Sequence, residues 1–309
     1  RGGLLILSSA CILRNLVMDN CTYGLITNGV DITVSYLTFT RCGRAVEAIS
    51  SSVRLDNCSI WYSVTKDLEL QQSSKLVLYN TTFTRSMVSM LGGGNILEVY
   101  WYLNINVAWQ NKVVVSHGTV NLADAKNYGT LAGYTDEKGW LMWIPILEYR
   151  EDSTTKDIRN PYNISVRLGN VTNSVELSFE KSFTLYLTLR DLVAPYVEIT
   201  TPAAGMRINY TPVNISGLAF DLETGLDRVE VSFDGRFWEL ANGTGTWNFL
   251  SRLNDANYTL YVRASDAVGN RCVVTLNFTV DTVITLLDVS TPPEGYLTRY
   301  PVLWVNGST

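Results

Sequence analysis

At 309 residues the chain is longer than one ordinary domain and suits two to four. Hydrophobic residues make up 46% and charged residues 17%, with Thr, Val, Tyr and Ser prominent, so the composition supports real cores and favours β structure. A net charge of −5 offers no basic footprint for nucleic acid, and no apolar run reaches the ~18 residues of a membrane span.

The first ninety residues repeat every 21 to 23 positions. Leu13, Val34, Leu55 and Leu78 share one register; Met18, Phe39, Ile60 and Phe83 share another; Leu25, Val46, Leu68 and Val88 form a third. Asn15, Tyr36, Asn57 and Asn80 follow the first register two residues on. A unit that cannot bury its own apolar face must stack on copies of itself, and short β-type runs at this period fit the coils of a parallel β-helix. The opening Leu-rich stretch is taken up by the first coil rather than by a leader peptide, and both ends read as cut from something larger. An Asn after each strand can turn inward and bond its stacked equivalents, which sets Asn57 and Asn80 in a ladder.

Leu91-Gly-Gly-Gly-Asn95 reads as a break, placing the solenoid at 1–95. Residues 96–192 read as a β-sandwich, with alternation at Leu103, Ile105 and Val107 and short strands at Val113–Val115, Thr119–Leu122 and Thr130–Tyr134. An aromatic strand from Trp140, then Asn163–Leu168 and Ser182–Leu189, complete it. From Ala194-Pro195, five strands (Tyr196–Thr200, Val213–Leu218, Arg228–Phe233, Tyr258–Ala264, Cys272–Val280) give an Ig-like sandwich over 193–282. Thr201-Pro202…Tyr210-Thr-Pro-Val213 returns as Thr291-Pro292…Tyr300-Pro-Val302, so 283–309 reads as the start of a second Ig-like repeat.

Asn-x-Ser/Thr occurs eleven times, where chance placement in this composition gives about four. Asparagine-linked glycans imply secretion. Strand alternation places Asn163, Asn257 and Asn277 outward. Asn170, Asn209, Asn214, Asn242 and Asn306 complete the expected acceptors, whereas Asn57 and Asn80 belong to the ladder.

The 21-residue units resemble the parallel β-helix repeats of secreted surface proteins and polysaccharide-active enzymes. The stretch 98–192 resembles the carboxypeptidase-regulatory-like sandwich through Thr135-Asp136…Gly139-Trp140. Residues 194–281 resemble the Ig-like repeats of prokaryotic surface proteins through Glu223-Thr-Gly-Leu-Asp-Arg-Val-Glu-Val…Asp234-Gly and Ala264-Ser-Asp-Ala-Val-Gly-Asn270. The combination is similar to modular archaeal envelope proteins, including surface-layer and sheath subunits. The resemblance implies an all-β fold: a right-handed parallel β-helix followed by carboxypeptidase-regulatory-like and Ig-like sandwiches. These motifs mark architecture rather than activity.

Cys21 and Cys42 stand 21 apart at equivalent places in consecutive coils, and stacked strands ~4.8 Å apart bring them within disulfide range. The alternative is a pair of buried free thiols. Cys11 and Cys58 lie on core-compatible positions of other coils and could pair only if coils one and three met, and Cys272 reads as a packed small hydrophobe. His117 is the only histidine, which leaves any Ser-His-Asp or zinc chemistry to Val115-Ser-His-Gly118, a turn.

Asp19, Thr40 and Trp61 are equivalent, so no acidic row is expected there, and no catalytic residue or cofactor is assigned. Asp221, Glu223, Asp227 and Asp266 are the candidate oxygen ligands for Ca²⁺, with ordinary turn chemistry as the alternative. Trp140 and Trp143 differ by an odd number, so one strand cannot bury both; an exposed ring would mark a sugar platform or a subunit contact.

The expectation is a glycosylated structural protein of the cell surface, extracellular and not an enzyme. Its partners would be copies of itself in a layer, sheath or filament, with other envelope proteins or glycans beside them. The alternatives are an adhesin or carbohydrate-binding stalk, or the non-catalytic part of a polysaccharide-active enzyme.

Overall fold

The structure, a computed structural model, describes residues 2–283, 288–291, 299 and 306–308. Among the described residues it is all-β apart from one 3-10 turn at Arg85–Met87, and none of their helices is long and apolar enough to cross a membrane. The chain divides into two units, Arg1–Asp191 and Leu192–Thr309.

The first unit opens as a solenoid with three parallel sheets. One stacks Leu4–Ile6, Tyr23–Asn28, Arg44–Ile49, Lys66–Gln71 and Val88–Leu91. The second stacks Leu13–Arg14, Asp31–Ser35, Ser52–Asp56, Lys75–Tyr79 and Ile96–Trp109. The third stacks Val17–Asp19, Thr38–Thr40 and Ser59–Trp61. The register is the one the repeat implies: Leu13↔Val34↔Leu55↔Leu78, Met18↔Phe39↔Ile60 and Leu25↔Val46↔Leu68↔Val88. These inward rows are almost wholly dry, with Leu25, Val34, Phe39, Leu55 and Leu78 fully buried.

Each coil turns three corners, and most of these corners use a left-handed residue. Asn15, Tyr36, Asn57 and Asn80 take φ of 56°, 57°, 53° and 45°; Asn20, Arg41 and Tyr62 take 55°, 51° and 57°; Gly29, Ser50 and Gln72 take 67°, 46° and 55°. Left-handed backbone turns the N–H along the solenoid axis, where the next coil accepts it: Tyr36 N–H donates to Asp56 O at 3.0 Å and Asn57 N–H to Tyr79 O at 2.9 Å. Asn reaches this region at little cost because its short polar side chain bonds locally. The Asn ladder forms, with Asn80 Nδ2 donating to Asn57 Oδ1 at 2.7 Å.

Gly92 and Gly94 do mark a corner, but the sheet runs through it. Asn95, fully buried, accepts from Ser74 N–H through Oδ1 and donates from Nδ2 to Leu91 O and Gly92 O. Ile96–Trp109 then pairs in parallel with Lys75–Tyr79 and continues beyond it for nine residues. Along that extension it pairs in parallel with Phe183–Leu189, and Trp140–Asp152 runs antiparallel along most of its length. One strand therefore belongs to both solenoid and sandwich, and a single apolar core runs from Ile6 to Leu189. The sandwich's other sheet is Gly129–Tyr134, Thr119–Ala123, Tyr162–Leu168 and Val171–Leu177. Val113–Val115 is not a strand: Lys112 turns at φ 69° and leaves only a bridge between Ala108 and Val114.

The second unit packs Tyr196–Thr201, Val213–Phe220 and Thr246–Ser251 against Arg207–Ile208, Arg271–Val280, Ala256–Asp266, Leu226–Ser232 and Glu239–Leu240. Trp247 fills its centre among Val197, Ile215, Leu260 and Phe278. A Cβ on Gly217 would meet Glu198 O at 1.9 Å and the Trp247 ring at 2.5 Å, so only glycine lets the indole lie against the backbone. Asp288–Thr291 and Asn306–Ser308 pair antiparallel beyond it. The recurring Pro292…Tyr300-Pro-Val302 lies outside the described residues.

Candidate functional site

The expected glycan acceptors Asn163, Asn170, Asn209, Asn214, Asn242, Asn257 and Asn277 all have exposed side chains; the side chain of Asn306 lies outside the described residues. Asn80 is committed on both sides, since its Oδ1 also accepts from Ser182 Oγ at 2.7 Å. Asn257 and Asn277 share one solvent face, where Asn257 opposes Thr279 and Thr259 opposes Asn277.

All five cysteines are free thiols, and the bridge expected between Cys21 and Cys42 is not formed. Each sulfur instead bonds backbone: Cys21 Sγ donates to Asp19 O at 3.5 Å and Cys42 Sγ to Met18 O at 3.4 Å. Cys58 does the same at another corner, accepting from Leu37 N–H at 3.4 Å and donating to Asp56 O at 3.5 Å. Burial pushes the Cys42 and Cys58 thiols above their ordinary value. These thiols act as corner hydrogen-bonding groups.

Of the four candidate calcium ligands, the second unit brings two together: carboxylate oxygens of Asp221 and Asp266 lie within 4.8 Å. Asp227 is paired with Arg228, and Glu223 contributes its N–H to the Asp221 turn. Asp221 Oδ1 accepts from the N–H groups of residues 223, 224 and 225, and Asp266 Oδ1 from those of 268, 269 and 270. Asp266 Oδ2 also accepts from Asn270 Nδ2 at 2.8 Å, so ordinary turn closure engages one oxygen of Asp221 and both of Asp266.

The solenoid does carry one stacked acid pair, on a different sheet from the row Asp19, Thr40, Trp61. Glu47 and Glu69 are in register on neighbouring coils, 7% and 4% exposed. Arg44 Nη1 lies 3.3 Å from each carboxylate, and Gln71 Nε2 donates to both at 2.9 and 2.7 Å. The charges are held by their neighbours, as in a structural pair rather than a free acid and base. His117 sits exposed at a turn with φ 58°.

Another buried carboxylate fastens the last coil to the sandwich. Glu148 accepts from Trp101 Nε1 at 2.6 Å and from Arg85 Nη2 at 2.7 Å through both oxygens.

An exposed aromatic surface of the first unit lies on the outer face of the sheet containing Ile96–Trp109. Along that strand Trp101, Leu103, Ile105 and Val107 point inward, leaving Tyr100, Tyr102, Asn104 and Asn106 outward. Tyr79 stacks on Tyr100 at 4.7 Å and on Tyr102 at 5.9 Å, and the Arg54 guanidinium lies 3.9 Å over the Tyr79 ring. Burial, and then the Glu98 charge, push the Tyr100 hydroxyl up to about 12.

Beside Tyr102 the neighbouring strand bulges, with a register shift between Leu103 and Ile105. The bulge holds Trp143 at φ 61°, its N–H donated to Asn104 Oδ1 at 2.9 Å and its ring edge-on to Tyr102 at 5.6 Å. Trp143 is 62% exposed and Tyr186 70%, the latter edge-on to Trp140 at 5.9 Å. The odd spacing of Trp140 and Trp143 is thus resolved by the bulge, which leaves both on the outer face.

The family model described as bacterial Ig domain (Big_7) matches residues 195–262, within the second unit. No curated protein matches the chain. Among solved structures, the fibronectin(III)-like modules of Clostridium thermocellum CbhA are 22% identical, with a TM-score of 0.26, covering 29% of this chain and 100% of that one. BcpA, the major pilin subunit of Bacillus cereus, is 9% identical with a TM-score of 0.25, covering 62% and 70%. A point mutant of the shaft pilin SpaA from Lactobacillus rhamnosus GG is 8% identical with a TM-score of 0.26, covering 60% and 95%.

Proposed function

We propose that this chain is a structural segment of a glycosylated, modular cell-surface protein of the prokaryotic, archaeal type, acting through shape and stiffness rather than catalysis. The observation that carries the reading is the strand Ile96–Trp109, which belongs to solenoid and sandwich at once. A shared strand and a continuous core leave no hinge at the glycine corner, so 1–191 transmits load as one body. The bacterial Ig match at 195–262 supports a modular extracellular chain, and the exposed acceptor asparagines support glycosylation.

Within this reading the solenoid is right-handed, the sandwich is of the carboxypeptidase-regulatory-like type, and no cofactor takes part. The chain associates with copies of itself in a layer, sheath or filament, and glycans on strand faces limit unwanted contacts.

Electron microscopy of the purified, glycosylated chain across a concentration series tests this. Regular sheets, tubes or filaments are expected; a strictly monomeric chain at every concentration overturns assembly. Glycopeptide mass spectrometry that finds Asn163, Asn257 and Asn277 all unmodified in secreted material overturns the glycoprotein reading.

A further inference from the structure

We propose that the outer face of the sheet containing Ile96–Trp109 binds a neutral glycan chain, with Trp143 as its stacking platform. Three observations converge there. The first is the conformation of Trp143. A bulky L-residue at φ 61° carries a steric penalty that glycine would escape, and the bulge that imposes it turns an indole toward water. The ring is 62% exposed, and its one ring contact among the described residues is T-shaped, with Tyr102. Strain spent on exposing a tryptophan points to a ligand that wants that face.

The second observation is what surrounds the ring. Trp140, Tyr186, Tyr102, Asn104 and Asn106 share the face with Trp143, so rings alternate with amides and none of the six side chains is charged. Asn104 spends its Oδ1 on the Trp143 N–H, and Asn106 spends its Nδ2 on Lys138 O at 3.3 Å. Asn104 Nδ2 and Asn106 Oδ1 have no protein partner among the described residues. One donor and one acceptor beside a flat apolar ring match a pyranose, whose C–H face stacks while its rim of hydroxyls both gives and takes hydrogen bonds.

The third observation is charge. The six side chains carry none, and the charged groups further along the same sheet are paired with one another, Arg54 with Asp56 and both Lys75 and Arg150 with Glu98. The patch therefore offers no attraction for nucleic acid and no unpaired cation for uronate or sulfate groups. A second copy of the chain is the weaker occupant, because a dry protein contact would bury those amides without a guaranteed partner, whereas a hydroxyl-rich ligand satisfies them. The proposal does not depend on self-assembly.

The test uses the full chain and intrinsic tryptophan fluorescence, with linear gluco-, manno- and galacto-hexasaccharides as neutral probes and an oligogalacturonate as the acidic comparison. At least one neutral hexasaccharide should bind and shift the emission. Trp143→Gly should weaken that binding by about tenfold or more while raising the melting temperature, since glycine accepts the left-handed backbone. Tyr186→Ala should weaken it more modestly, and Tyr134→Ala, an exposed ring on the opposite sheet, should leave it unchanged. The proposal falls if no neutral probe binds, if the oligogalacturonate binds equally well, or if Trp143→Gly keeps wild-type affinity. It also falls if Trp143→Gly lowers the melting temperature, or if it converts an oligomer to a monomer, which would make a second copy the occupant.

Discussion

Replacing Glu148 tests whether solenoid and sandwich melt as one body. Its carboxylate is 7% exposed and takes three contacts, one from the Trp101 indole and two from Arg85 on the last coil. In Glu148→Ala the Trp101 N–H, on a ring 3% exposed, loses its acceptor, at a cost of about 1–3 kcal/mol. The Arg85 pair adds under about 1 kcal/mol, because that guanidinium is 39% exposed and water replaces the lost oxygen.

The alanine variant should therefore lose about 1–4 kcal/mol, and Glu148→Gln, which keeps an oxygen for the indole, less than the alanine variant. Urea denaturation of the full chain by near-ultraviolet circular dichroism reads both values. The transition of residues 1–191 should move while that of the Ig-like unit stays in place. Equal losses for Ala and Gln would refute the assignment to the buried indole bond. Separate melting of solenoid and sandwich in the wild type would refute the shared-core argument itself.

Tyr36 stands at a corner that uses Asn in the neighbouring coils; it is 57% exposed at φ 57°. Tyr36→Asn should thus stabilise the first unit by about 0.5–1 kcal/mol in the same denaturation assay. Alkylation without reductant in denaturant should label all five cysteines, with Cys42 and Cys58 the slowest under native conditions. Asp152, Asp234 and Asp255 are held below the ordinary 3.8 chiefly by hydrogen bonds: from the Thr154 side chain, from the Arg236 N–H and from the Thr282 N–H respectively. A depressed carboxyl stabilises the fold fully above 3.8 and loses that contribution as pH falls toward its folded value. Melting temperatures should therefore be level from pH 7 to about 5 and fall below about 4, with a shallower acid limb when the three are changed to Asn.

The solenoid was legible because a parallel β-helix repeats its interior. Leu13, Val34, Leu55 and Leu78 recur in sequence because they stack in space, so the period carries the register with it. Its end was not legible for a related reason. A run of glycines tells where the backbone bends, not whether the sheet continues, and the continuation lies in the pairing of Tyr79 with Tyr100 across a corner. Val171–Leu177 escaped notice because Asn173 interrupts its half-buried row and donates to Thr188 O. Val113–Val115 looked like a strand because three β-branched residues stand together, but propensity there yields to the turn at Lys112.

Sites were harder to read than folds because they sit where the repeat and the alternation rule are locally broken. Glu47 and Glu69 are 22 residues apart, so the in-register pair was present in the spacing, yet nothing in the sequence says that Arg44 and Gln71 cover and satisfy it. Trp143 is the sharper case. Period-two alternation assigns Trp140 and Trp143 to opposite faces, and that inference is sound for any unbroken strand. One inserted residue cancels the parity, puts both rings on the same side and leaves a tryptophan in a conformation suited to glycine. A bulge has no reliable signature in a single sequence, since it is set by the partner strand: here by Asn104, whose side chain caps the displaced N–H. Unlike the left-handed residues at the solenoid corners, Trp143 takes this conformation within a strand, where the bulge turns its ring outward.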